Sequence, residues 1–141
     1  MSRRKGRRLA VQALYSWDVG NTDPEVLATF PWYDSKSGNG IDGTLDFPRL
    51  ILQGTLENIT EIDDLIRKHL EHWDMDRLAR VDLAILRMGT YSLLYQPAIP
   101  AQVTIDEAVE LAKELSTDEA YRFINGVLDG VRRRVQDRED D

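Results

Sequence analysis

The chain has 141 residues, a net charge of −7 and no cysteine, with 42% hydrophobic and 30% charged residues. This length and composition are typical of one globular domain with a sizeable core. The absence of cysteine excludes disulfides, thiolate nucleophiles and cysteine-based zinc sites. No apolar stretch approaches the roughly 18 residues of a membrane span, and the start is too polar for a secretory signal, so we expect a cytoplasmic protein.

The start of the chain is the only strongly positive part of this acidic protein. Its first eight residues contain no acid and five basic side chains: Arg3, Arg4, Lys5, Arg7 and Arg8. The spacing of the apolar residues that follow predicts a helix over 3–18, with Tyr15 two turns beyond the basic residues. Three of the arginines have i, i+3, i+4 spacing and are expected to share one face. Such a face can bind phosphates, although a solvated, frayed terminus explains it equally well.

Turn signals follow this first helix. Asp23 and Pro24 predict the N-cap and the first position of a short second helix. The stretch 31–48 contains several Gly, Ser and Asn residues and predicts a loop. Ordered loops of this length are uncommon, so the segment is either mobile or functional, and we favour mobility.

Helical spacing resumes in the middle of the chain. It predicts helices over 45–58 and 61–70, with Thr60 as the N-cap of the second, and then a connector at 71–77. The stretch 80–95 is apolar on nearly every side, which predicts a buried central helix.

Two capping boxes are predicted near the end of the chain. Thr104 with Glu107 is expected to open one helix, and Ser116 with Glu119 to open the last. Gly126 lies inside that last helix and predicts a close approach between two helices.

The whole pattern predicts an all-α fold, because no strand alternation is present. We expect about seven helices in one domain over 1–141, ending in an acidic tail at 137–141. The interruptions at 31–48 and 71–77 divide the chain into two small helical halves that share one core.

Patterns for catalysis or metal binding are missing from the sequence. There is no phosphate-binding glycine loop, and His69 and His72 alone are too few for a metal site. Asp63 and Asp64 are adjacent, so they do not face each other on a helix. We therefore expect no catalytic residue, no metal and no cofactor.

Two aromatic residues are candidates for stacking on unpaired bases. Tyr15 follows the basic segment, and Phe123 stands beside Arg122 near the start of the last predicted helix. Single-stranded RNA is commonly recognised by such stacking. Both aromatics also fit packing at the core, and spacing alone does not decide between the two interpretations.

Short blocks at the start and in the second half of the chain occur together, in this order, in one family, and the resemblance covers nearly the whole chain. The blocks are Arg3-Arg4 through Arg7, 10–17, 81–87, 91–94, Ile99-Pro100, 103–113 and 122–129. With these blocks the chain resembles the NusB family of bacterial transcription antitermination factors. The resemblance implies an all-helical fold of two small subdomains without catalytic activity.

The resemblance also implies partners. Family members bind the boxA element of single-stranded RNA, typically together with NusE, a small-subunit ribosomal protein. That assembly joins RNA polymerase with NusA and NusG and supports processive transcription of ribosomal RNA operons.

The family pattern further implies roles for particular residues. RNA contacts are expected from Arg3, Arg4, Arg7, Arg8, Gln12, Tyr15, Glu119, Arg122 and Phe123. Contacts with NusE are expected at Asp82 and Arg87.

Three alternatives stay open on the sequence. The first is that the chain is a protein-interaction adaptor that binds NusE without RNA. The second is that it is the accessory domain of an RNA methyltransferase. The second alternative would need a longer chain, because these 141 residues contain no methyltransferase domain. The free protein is also either a monomer or a homodimer that buries the basic helix.

Overall fold

The computed structural model describes residues 1–33, 44–72 and 74–140. Within these ranges the chain forms helices and turns without a β-strand, which confirms the all-α prediction. The helices are α1 (Arg3–Gly20), α2 (Pro24–Leu27), α3 (Asp46–Glu57), α4 (Ile59–Arg67), a 3-10 turn (Met75–Arg77), α5 (Arg80–Tyr95), α6 (Ala101–Leu115) and α7 (Ala120–Asp140). None of them is long and apolar enough to cross a membrane.

The first two helices begin at polar caps. The Ser2 hydroxyl accepts a hydrogen bond from the Lys5 amide at 3.1 Å, and α1 then continues two residues beyond its predicted end. Asp23 caps α2 by accepting from the Glu25 amide at 2.9 Å, with Pro24 at the first helical position, as predicted. These caps satisfy amides that have no partner inside the helix.

Helix α5 forms the centre of the molecule, and this confirms the predicted buried helix. It packs against α1, α3, α4, α6 and α7. Every residue from 83 to 93 is buried, because an almost continuous apolar run leaves no face suited to water. Among the described residues, buried apolar side chains from all seven α-helices pack together in one hydrophobic core.

The helix starts predicted from Thr60, Thr104 and Ser116 are wrong. α4 begins two residues earlier than predicted, because only Asn58 separates it from α3 and Thr60 already lies inside it. α6 begins directly after Pro100, so Thr104 is a buried residue of its first turns and does not cap it. Ser116 ends α6, and its hydroxyl donates to Asp82 at 2.6 Å, so it does not open α7.

The predicted loop at 31–48 is only partly described. Residues 34–43 lie outside the described residues, and so do Trp73 of the predicted connector and Asp141 of the predicted tail. The last part of the predicted loop is wrong, because α3 already includes 46–48. The remaining tail residues, 137–140, continue α7 as its last turn.

Two glycines make a matched test of packing. A Cβ at Gly54 would overlap the ring of the buried Tyr91, whereas a Cβ at the exposed Gly126 would meet no atom within 4 Å. The prediction of a close helix approach at Gly126 is therefore wrong. We expect Gly54→Ala to lower the free energy of unfolding by about 1–3 kcal/mol. Gly126→Ala should raise it by about 0.5–1 kcal/mol, because alanine favours helix. Urea denaturation measures both, and equal effects would contradict this packing.

Candidate nucleic-acid interface

The basic residues of α1 lie along the acidic side of α6. Arg4 donates to Glu107 through Nε at 2.9 Å and through Nη2 at 3.1 Å. One turn further along α1, the Nη2 of Arg8 lies 2.6 Å from the Glu114 carboxylate. The hydrogen bond with Glu107 raises the pKa of Arg4, and the same bond lowers the pKa of Glu107. Arg4 and Arg8 are therefore oriented by their ion pairs, and each already holds a carboxylate.

The other two arginines of α1 meet an aromatic ring of α3. The guanidinium of the exposed Arg3 lies 4.2 Å from the centre of the Phe47 ring, and that of Arg7 lies 5.4 Å from it. Arg7 is only 4% exposed, and this burial lowers the pKa of its guanidinium. Its Nε has no hydrogen-bond partner among the described residues. The expectation that Arg7 shares an exposed face with Arg4 and Arg8 is therefore wrong.

A cavity of about 690 Å³ follows the basic row at the far end of α1. Its polar wall contains Gln12, whose side-chain oxygen accepts a hydrogen bond from the indole nitrogen of Trp32 at 2.8 Å. Tyr15 is 42% exposed and Trp32 is 41% exposed, so two aromatic side chains stand at the surface here. The core-packing interpretation of Tyr15 is thereby excluded. A cavity of this size, with aromatic walls and few polar groups, suits a flat ring such as a nucleobase.

The cavity lies next to Asp82, one of the two residues for which the family pattern implies a contact with NusE. Val81 and Leu115 line the cavity. The residues that follow them, Asp82 and Ser116, are joined by a hydrogen bond, which the Ser116 hydroxyl donates to the Asp82 carboxylate. Asp82 is half-buried, and this bond orients its carboxylate one residue after the cavity-lining Val81.

The start of α7 lies at the same end of α6. Arg122 and Glu119 are exposed and form an ion pair at 3.6 Å. Phe123 is half-buried and packs against the rim of the core, so it keeps an exposed part. Lys113 of α6 lies 4.9 Å from the centre of the Tyr121 ring, which ties the end of α6 to the start of α7. The structure thus places Glu119, Arg122 and Phe123 together on an accessible surface.

Arg87 lies inside the fold, not on a surface that would face a partner. It donates to both oxygens of Asp63, through Nε at 2.9 Å and Nη2 at 3.0 Å. Asp18 approaches its third nitrogen, Nη1, at 3.6 Å, an ion-pair distance that is too long for a hydrogen bond. Asp18 itself accepts two hydrogen bonds from Arg80 at 2.8 and 3.0 Å. The network joins α1, α4 and α5 and has a structural role.

Sequence reasoning missed three residues of this region. Trp32 falls in the stretch that was predicted to be a loop, and its aromatic character is the one signal that pointed to a surface role. Glu107 was interpreted as half of a capping box, and Glu114 had no assigned role. Their pairing with α1 spans more than 100 positions of sequence, which no local pattern reveals.

Known proteins resemble this chain over almost its whole length. The NusB family model matches residues 4–133. A transcription antitermination protein NusB from Treponema denticola is 47% identical over 134 residues, which cover 95% of this chain and 98% of that protein. The structure of T. maritima NusB has a TM-score of 0.80 at 36% identity and covers 94% of this chain and 92% of its own.

A further solved structure contains antitermination factors NusB and NusE in complex with double-stranded RNA. It matches with a TM-score of 0.76 at 26% identity, covering 95% of this chain and 99% of that one. These likenesses extend over both halves of the molecule and confirm the resemblance seen in the sequence blocks. The chain belongs to the NusB family.

Proposed function

We propose that this protein is a non-enzymatic antitermination factor of the cytoplasm that binds boxA-type single-stranded RNA together with NusE. The observation that carries the proposal is the exposed Tyr15, which stands beside the aromatic cavity at the end of the Arg4–Arg8 row. Arginines supply phosphate contacts that fix the strand, and an exposed aromatic supplies a stacking surface for an unpaired base. The membership of the NusB family adds the biological setting.

The proposed strand follows the surface in three parts. Arg3, Arg4 and Arg8 contact its phosphates, and Gln12 and Tyr15 receive a base at the cavity. The group of Glu119, Arg122 and Phe123 at the start of α7 receives a neighbouring nucleotide. Arg7 is buried with its guanidinium over the Phe47 ring and supports this surface by packing.

The proposed contact with NusE is centred on Asp82, whose carboxylate is oriented by Ser116. The relative solved with NusE and RNA supports a joint complex of the three components. Arg87 contributes indirectly, because it holds α5, which carries Asp82, against α4. We further propose that the complex joins RNA polymerase with NusA and NusG and acts in ribosomal RNA operons.

Fluorescence anisotropy of a labelled boxA-like RNA tests this function. The RNA and a scrambled strand of the same composition are titrated at ~0.15 M salt, with and without NusE. We expect selective binding of the boxA-like strand that tightens when NusE is present. Binding of NusE without selective RNA binding would favour the adaptor function instead.

A further inference from the structure

We infer that Glu107 and Glu114 are inhibitory residues, which weaken the binding of RNA phosphates by holding Arg4 and Arg8 of α1. The inference rests on the proposed RNA-binding function. Neither carboxylate contacts RNA itself. Each acts on the arginine that it pairs with.

The geometry gives each arginine a defined competitor. Glu107 engages two nitrogens of Arg4 in a bidentate pair, and its side chain is only 19% exposed, so the carboxylate is held in place. Burial lowers the pKa of Arg7, and the nearby negative charge of Glu107 opposes this decrease. Glu114 takes one nitrogen of Arg8, and both side chains of this pair are partly exposed. A phosphate that approaches either arginine meets a carboxylate already on the guanidinium.

The ion pairs weaken one part of the binding energy. Contacts to phosphates are independent of sequence, whereas contacts to bases carry the sequence information. The carboxylates compete only with phosphates, because they occupy the arginines and repel anions, and they leave the exposed ring of Tyr15 untouched. Every RNA strand therefore loses the same phosphate contribution, and the remaining affinity depends more on the contacts to bases.

The test is the double variant Glu107→Gln/Glu114→Gln, measured by anisotropy with the boxA-like and the scrambled RNA at fixed salt. The matched control is Asp64→Asn/Asp106→Asn, which removes the same charge. Both of those carboxylates are exposed, and they pair with Arg67 and Gln102 and not with an arginine of α1. We expect the scrambled RNA to bind the first variant about tenfold more tightly than the wild type. The boxA-like RNA should gain by a similar factor, because the phosphate contacts that are released do not depend on sequence.

The outcomes separate this inference from the proposed function. If the wild type itself does not discriminate between the two strands, the proposed function fails and the inference fails with it. If the wild type discriminates but the test and control variants behave alike, only the net charge matters and the inference is overturned. Weaker RNA binding by the test variant would also overturn it, because the carboxylates would then position the arginines. Circular dichroism confirms folding, and the single Glu114→Gln variant repeats the test at the more exposed site.

Discussion

Asp63→Asn is expected to lower the free energy of unfolding by about 3 kcal/mol, measured by urea denaturation. The carboxylate of Asp63 accepts two hydrogen bonds from Arg87, and the two side chains are only 12% and 7% exposed. Removing its charge leaves Arg87 buried with Asp18 alone, at an ion-pair distance of 3.6 Å. A buried charge that has lost its partner destabilises the fold by far more than the intact pair stabilises it.

The next residue supplies the control. Asp64 pairs with Arg67 at 3.1 Å, but both of these side chains are 58% exposed. The same substitution, Asp64→Asn, should therefore change the stability by less than about 0.5 kcal/mol. Equal losses at the two positions would show that the buried pair has no special role. The double variant Asp63→Leu/Arg87→Met should lose less stability than Asp63→Asn, because it leaves no buried charge.

The helices themselves could be predicted because their signals are local. The apolar run of α5 and the Asp23–Pro24 start of α2 each depend on neighbouring residues alone. Capping boxes were poorer guides, because Ser or Thr three residues before Glu also occurs inside helices. The stronger signal for the start of α6 was Pro100 and not Thr104. Proline is not tolerated in the interior of a helix but suits its start, so α6 begins directly after Pro100.

The site was predictable in its residue types but not in its pairings. The spacing of Arg4 and Arg8 placed them correctly on one side of α1. Arg7 has the same i, i+3 spacing from Arg4, but α3 covers its side of α1 and buries it against Phe47. Phe47 packs so closely there that a Cβ at Gly6 would lie 2.8 Å from its ring. Burial of Arg7 thus depends on a helix 40 residues further along the chain, which spacing within α1 does not report.

The same limit explains why the charge of α1 was overestimated. From the sequence the first eight residues form an unopposed basic segment. In the folded protein, Glu107 and Glu114 of α6 stand against two of those arginines. The positive field at this surface is therefore weaker than the sequence indicates, and the proposed RNA binding should depend more on stacking.

Tyr15→Ala is expected to weaken binding of the boxA-like RNA by about tenfold to a hundredfold, which corresponds to ~1–3 kcal/mol for one stacked base. Tyr15 is 42% exposed beside the cavity and accounts for little of the core, so the variant should keep its stability. Tyr15→Phe retains the ring and should bind RNA nearly as well as the wild type. Tyr95 is 44% exposed at the other end of the fold, where it donates to Glu61. Tyr95→Phe should therefore leave RNA binding unchanged. Anisotropy with and without NusE measures all three variants. A loss by Tyr15→Phe as large as that by Tyr15→Ala would contradict stacking, because the hydroxyl and not the ring would then carry the contact.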